Sequence, residues 1–305
     1  MAHHHHDHRT GSVLKWSFAA TLLFVAVEFI AGLRAHSLAL LADAGHNFTD
    51  ALALVLAAIA FHIQSKPADD VKTFGYHRAG VIAAFVNAAT LVIIAGLIFY
   101  EAWRRLLKPE PVHEWTMLAV SAGALLLNSA IMFGLRGQKD HDLNIRAAFI
   151  HFLGDALSAV GIIAGAVLIY FTGWQEVDPA LSVLIGALII WTAWDIMKES
   201  LNVLLEGLPR GLKLSSVTAE MRRIEGVIDV HDLHIWTLGS NAHALSCHVL
   251  IEDMPPSASD SILRRINDVL CGFEIRHTTI QFEHTKCAVS DTGCCISAEP
   301  QTHQH

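Results

Sequence analysis

Between residues 13 and 201 this chain has six apolar stretches, each close to or above the roughly twenty residues a helix needs to cross a bilayer. They read as Val13–Leu33, Leu38–Phe61, Ala79–Trp103, Trp115–Leu135, Ile145–Phe171 and Pro179–Leu201. In hydrocarbon every backbone polar group must be satisfied within the chain, so such stretches become helices and the fold class is an α-helical membrane protein. Charged residues make up only 16% of the whole, against about a quarter in soluble domains, and the deficit ends near Leu208. An even number of spans puts both termini on one side. With the N-terminus inside, the inner flanks carry Arg9, Lys15, Lys66, Lys72, Arg78, Arg136, Lys139, Arg146, Lys198, Arg210 and Lys213, and the outer flanks Arg34, Arg104, Arg105 and Lys108. Eleven against four favours cytoplasmic termini, although the outer cluster after the third span runs against the rule. The first span lacks a small-residue cleavage site and contains Glu28, so it reads as a retained helix rather than a signal peptide.

Two of these spans carry the same polar pattern about a hundred residues apart: His46-Asn47-Phe48-Thr49-Asp50 and His151-Phe152-Leu153-Gly154-Asp155, each followed by Ala-Leu. Residues i and i+4 share a helix face. A carboxylate at mid-bilayer costs roughly 2.5–3.5 kcal/mol on insertion scales, so it needs a partner or a wet cavity. One such pair could be a hydrogen-bonded couple that fixes helix packing. Two with identical spacing point instead to a four-coordinate N2O2 site for a zinc-like ion, built from His46, Asp50, His151 and Asp155. An ion site in mid-membrane suggests transport. Glu28, Asn87 and Asn128 read as helix–helix hydrogen bonds rather than ligands.

The remainder reads as a small soluble domain of order αββαβ. A helix is expected over Leu214–Ile224, strands over Val227–Leu238 and His243–Glu252, a helix over Ser259–Leu270 after Pro255-Pro256, and a last strand over Ile275–Glu283. Two helices would cover one face of a three-stranded sheet. Histidines concentrate here: His231, His234, His243, His248, His277 and His284, with at least two expected to bind metal. Strict alternation places His231 and His234 on opposite faces, so they serve one site only if the strand bends. The N-terminus (His3 to His6, Asp7, His8) and the C-terminus (Cys287, Cys294, Cys295, His303, His305) add tracts suited to loose metal binding. The interposed Asp7 makes the first tract an unusual shape for an appended tag. Five cysteines without a disulfide spacing fit a reducing compartment with thiolates free for metal. The net charge of −8 gives no sign of nucleic-acid binding.

Taken in order, these residues resemble the cation diffusion facilitators, six-helix exporters of zinc and related divalent ions, in their zinc/cadmium/cobalt-resistance (zinc transporter) branch. The likeness runs from about Leu14 to Glu283. It is carried by Ser37-Leu38-Ala39-Leu40-Leu41-Ala42-Asp43-Ala44-Gly45-His46, Phe74-Gly75-Tyr76-His77-Arg78-Ala79, the His151–Asp155 element, Asp178-Pro179-Ala180-Leu181-Ser182, Leu205-Glu206-Gly207 and Val230-His231-Asp232-Leu233-His234-Ile235-Trp236.

The resemblance implies a homodimer in the lipid bilayer, in bacteria the inner membrane. It implies no enzymatic activity, no organic cofactor, and zinc with cadmium or cobalt as further ions, exchanged for protons by alternating access. It implies residues 1–12 as a His-rich cytoplasmic tail, 13–207 as the transmembrane domain, 208–286 as a ferredoxin-like dimerisation and metal-sensing domain, and 287–305 as a Cys/His tail. His231, His248 and Glu283 match sensing-site positions, and His277 stands one residue from a further one. Arg78 and Glu206 match a charged interlock. A loop site of some bacterial members is not carried over, because Lys72 and Tyr76 stand where it needs histidines. Two other functions remain: a membrane-anchored metal sensor without flux, which leaves the repeated pair without a task, and an intramembrane metal hydrolase, for which no His-Glu-x-x-His motif is present.

Overall fold

The computed structural model describes residues 5–136, 143–239 and 242–285, with side chains in the first helix from residue 20 onward. The tail at 287–305, Lys139 and the side chains of the N-terminal histidines lie outside the described residues. The chain divides into two compact units, residues 1–59 with 83–197 and residues 60–82 with 198–305.

The first unit is helical. Helices α1 (His5–Ala35), α2 (Leu38–Gln64), α3 (Ala79–Leu107), α4 (Glu114–Leu135), α5 (Leu143–Thr172) and α6 (Val177–Leu204) contribute to it. Among the described residues five are long and apolar enough to cross a membrane: α2, α3, α4, α6 and, within α5, Ala148–Thr172. Helix α1 starts at His5, eight residues ahead of the expected Val13. Helix α2 begins after His36 (φ 53°), and Ser37 Oγ accepts from Leu40 N at 3.2 Å, a side-chain N-cap. Small residues let α2 approach its neighbours closely. Ala39 and Leu40 pack with Met117 of α4 and Ile162, Ala166 and Ile169 of α5. Ala42 packs with Ala88, Leu91 and Ala95 of α3 and Ile189 and Ala193 of α6.

The second unit holds α7 (Leu214–Arg222), β1 (Val227–Gly239), β2 (Ala242–Ile251), α8 (Pro256–Cys271) and β3 (Ile275–Glu283). Strand order is β1-β2-β3, with β1 antiparallel and β3 parallel to β2. Helix α8 makes the crossover that a parallel pair requires. Pro256 sits at the start of α8 rather than ahead of it, because a first-turn residue needs no N–H and the ring presets φ. Val230, Ile235, Leu245, Cys247, Val249 and Ile251 of the sheet bury against Val217 and Met221 of α7 and Ile262, Ile266 and Leu270 of α8.

Alternation along β1 is broken at three places, and the break that bears on the histidines lies between His231 and His234. His231 pairs with His248 and His234 with Ser246, so three steps on β1 oppose two on β2. This is a β-bulge, with Asp232 in the left-handed region at φ 51°. Paired residues share a face, and Ser246 and His248 are two apart, so His231 and His234 lie on the same side of the sheet. The expectation of opposite faces is overturned by one extra residue.

Candidate metal centres

Helix α2 presents Asp43, His46, Asn47 and Asp50 at i, i+3, i+4 and i+7, one stripe of a helix. Helix α5 presents His151, Asp155 and Ser158 at i, i+4 and i+7. The two stripes face each other. His46 Nε2 lies 3.5 Å from Asp50 Oδ2 and 3.9 Å from Asp155 Oδ1, while His151 Nε2 lies 3.7 Å from Asp50 Oδ2 and 3.5 Å from Asp155 Oδ2. The imidazole centroids are 6.4 Å apart. A tetrahedral shell with bonds of about 2.0–2.1 Å has ligand–ligand edges of about 3.4 Å, so these four separations suit a zinc-sized ion at the centre.

They do not suit direct hydrogen bonding. Asp50 Oδ2, which faces both imidazoles, is buried without a hydrogen-bond partner among the described residues, as is His46 Nδ1. An orphaned buried atom costs about 1–3 kcal/mol, and for Asp50 Oδ2 a shared cation would offset it. Asp155 is 7% exposed and His151 41%, so the quartet is closed on one side and open on the other.

Beside the quartet stand groups that the repeated pair did not flag. Glu28 of α1 is fully buried and accepts from Asn47 Nδ2 at 3.4 Å, the helix–helix hydrogen bond expected of it. Asp43 is buried and accepts from Ser158 Oγ at 2.7 Å. The signal for Asp43 was present: it lies one turn before His46 on the same face. Asn87 behaves otherwise than expected, since its Oδ1 is buried without a partner among the described residues.

The second cluster lies on the sheet face away from α7 and α8. His248 Nδ1 is 2.9 Å from Glu283 Oε1, His231 Nε2 is 3.1 Å from Glu283 Oε2, and the rings meet edge-on at 5.5 Å. One ligand atom from each of the three residues falls within 4.8 Å of the others. His231 Nε2 and Glu283 Oε2 are close but form no hydrogen bond of acceptable geometry. The donor set therefore fits a metal better than it fits itself. The bulge aims Asp232 between His234 Nε2 (3.1 Å) and His248 Nε2 (3.9 Å).

His277 is not drawn in. It shares the face of Glu283 but stands six residues earlier on β3, about 20 Å along an extended strand, and packs edge-on to Phe74 instead. Cys247 falls on the core face, where burial, with the Asp232 charge second, pushes its thiol up to about 12. That residue is no free thiolate.

Arg78 Nη2 meets Glu206 Oε1 at 3.2 Å and reaches the Thr237 carbonyl at 3.5 Å. Glu206 is 65% exposed, so the two form an open ion pair. In the loop after α2, Asp69 accepts from Val71 N, Lys72 N and the Tyr76 hydroxyl at 2.6–2.8 Å. Those donors, the Lys72 amide foremost, hold the Asp69 carboxyl below its ordinary range, and the same contact raises the Tyr76 phenol.

Comparison with known proteins agrees along the whole chain. Residues 14–205 match the family model for the cation efflux transmembrane domain, and residues 209–285 that for the cation efflux protein cytoplasmic domain. The chain is 38% identical to a cadmium, cobalt and zinc/H(+)-K(+) antiporter of Bacillus velezensis over 99% of both chains. It is 39% identical to the zinc transporter ZitB of Pectobacterium atrosepticum over 98% of this chain and 93% of that one. It is likewise 39% identical to the metal cation efflux system protein CzcD of Cupriavidus metallidurans, over 98% and 95%.

Proposed function

This chain belongs to the cation efflux family, and on that premise we propose that it exports zinc from the cytoplasm in exchange for protons by alternating access. The relatives' names support zinc as cargo, with cadmium and cobalt as further ions. His46, Asp50, His151 and Asp155 form the transport site. The observation that carries the proposal is Asp50 Oδ2, buried, unbonded and facing two imidazoles at 3.5 and 3.7 Å.

The chemistry of exchange resides in the ligand set. Imidazole and carboxylate each bind either a metal ion or a proton, so protons arriving from outside compete the ion off the same four groups. A proton gradient then drives zinc outward. Backbone carbonyl ligands would not couple the two ions, since they take up no proton.

Six spans, with α1 as the first, place both termini in the cytoplasm of a bacterial inner-membrane protein. Residues 13–207 form the transmembrane domain and 208–286 a ferredoxin-like domain that holds two copies together, flanked by tails at 1–12 and 287–305. His231, His248 and Glu283 hold a regulatory ion there. Arg78 and Glu206 tie the start of α3 to the segment after α6. The test is metal uptake into proteoliposomes under an imposed pH gradient, with zinc, cadmium, cobalt, iron and manganese. Zinc flux that follows the gradient is expected, and an absence of flux with intact metal binding would leave a sensor instead.

A further inference from the structure

Asp178, second residue of α6, is fully buried, yet lies well away from the metal quartet. Its carboxylate serves another helix. Oδ1 accepts from Ser37 Oγ at 2.7 Å and from Ala39 N at 3.2 Å, and Oδ2 accepts from Leu38 N at 2.7 Å. These are the first backbone donors of α2, groups that no turn of the helix can satisfy. A carboxylate there also meets the positive end of the helix dipole.

The same oxygen Oδ2 lies 3.8 Å from Arg105 Nη1 of α3. Arg105 donates to the His36 carbonyl, in the left-handed turn between α1 and α2. It is also held by Glu101 at 3.1 Å and Glu110 at 3.7 Å. One carboxylate and one guanidinium thus fasten the end of α2 to α3 and α6.

Helix α2 carries half of the quartet. His46 and Asp50 lie about 12 and 18 Å along the axis from Leu38, at 1.5 Å per residue. A rigid helix transmits any slide or rotation at its first turn to those ligands, and metal coordination tolerates only about 0.2 Å. A local cap would satisfy the α2 amides equally well, and Ser37 already supplies one to Leu40. What a local cap cannot do is fix α2 against another helix.

We propose that Asp178 is a positioning residue for the transport site: by capping α2 from α6 it sets the height and rotation at which His46 and Asp50 meet His151 and Asp155. The proposal rests on reading those four as the site, and the experiment separates the two claims.

Asp178→Asn keeps the shape but trades one accepting oxygen for an NH2 group that faces N–H donors. In full-length protein in vesicles, sorted for folded dimer, zinc initial rates should fall about ten-fold, the size seen when groups that orient metal ligands are removed. The ratio of cadmium to zinc rates should rise about three-fold, because a looser shell discriminates less by bond length. Adding Ser37→Asp restores a carboxylate cap on α2 itself. The double variant should regain thermal stability and keep the raised ratio, since the cap returns without the tie. A wild-type ratio in folded Asp178→Asn, or full recovery of rate and ratio in the double variant, overturns the proposal. Arg105→Gln loosens the tie without uncapping α2. Should Asp178→Asn not fold, a raised ratio in Arg105→Gln supports the proposal and a wild-type ratio overturns it. Asp50→Ala is the control: if zinc flux survives that substitution, the site assignment fails rather than the tie.

Discussion

The membrane quartet and the sheet trio both pair two imidazoles with carboxylate oxygen, but their geometry comes from different sources. In the quartet each helix delivers half the site through i, i+4 spacing, and only the packing of α2 against α5 remains to be set. In the trio each ligand comes from a separate strand, so two registers must be right at once: His231 opposite His248, and β3 placed so that Glu283 reaches both. The helical site has local redundancy and the sheet site has none. The environments differ too. In lipid an uncompensated carboxylate is costly, while on a sheet face water can replace a missing partner.

That contrast is broken most directly by removing one anionic ligand from the quartet. Asp50→Ala or Asp155→Ala should lower zinc flux to background in protein that remains folded and dimeric. Near-normal transport by either variant, measured in vesicles, would falsify the assignment.

The trio should respond differently. His231→Ala with His248→Ala should weaken zinc binding at the sheet by about a hundred-fold or more and abolish metal-induced tightening of the dimer, while flux persists at a reduced level. Complete loss of flux in the well-folded double variant would mean that the two clusters are not separable.

A smaller effect sharpens the role of nitrogen in the quartet. An imidazole offers one donor atom, while a carboxylate can bind through both oxygens and widen the shell for cadmium. His46→Asp should raise the cadmium-to-zinc ratio several-fold with zinc flux reduced or similar. An unchanged or lower ratio would show that shell geometry at this position does not set selectivity.

The smallest effect is expected where opposite charges meet with no place for an ion. Glu206 is 65% exposed, and such pairs contribute about 0–1 kcal/mol. Glu206→Gln should therefore shift the thermal midpoint by only a degree or two, about what that energy implies for a chain of this size. A loss of several degrees would make the pair a structural interlock after all.

What could be read from the sequence follows the same division. The quartet was legible because its two halves are local, and its pattern stands out against apolar surroundings. The stripe extending to Asp43 was legible as well, one turn before His46 on the same face of α2. Strand β3 could be placed from its β-branched run, but the faces of β1 could not, because the bulge depends on Asp232 adopting φ 51° and no residue type announces it. His277 illustrates the limit from the other side: histidine identity and the right face were not enough without the right height along the strand. Asp178 was the least legible, since its task lies 140 residues away, at the start of α2.

The parallel pairing of β3 carries a consequence for the order in which the protein is made. Synthesis runs from the N-terminus, so His231 and His248 emerge together with the hairpin that holds them, and Glu283 arrives only as the last residue of the last strand. A nascent chain halted before Ile275 owns both imidazoles and the bulge but lacks the carboxylate between them. The trio proposed for a regulatory ion is therefore complete only once β3 is in place, and a chain halted earlier offers an ion two imidazoles and no carboxylate.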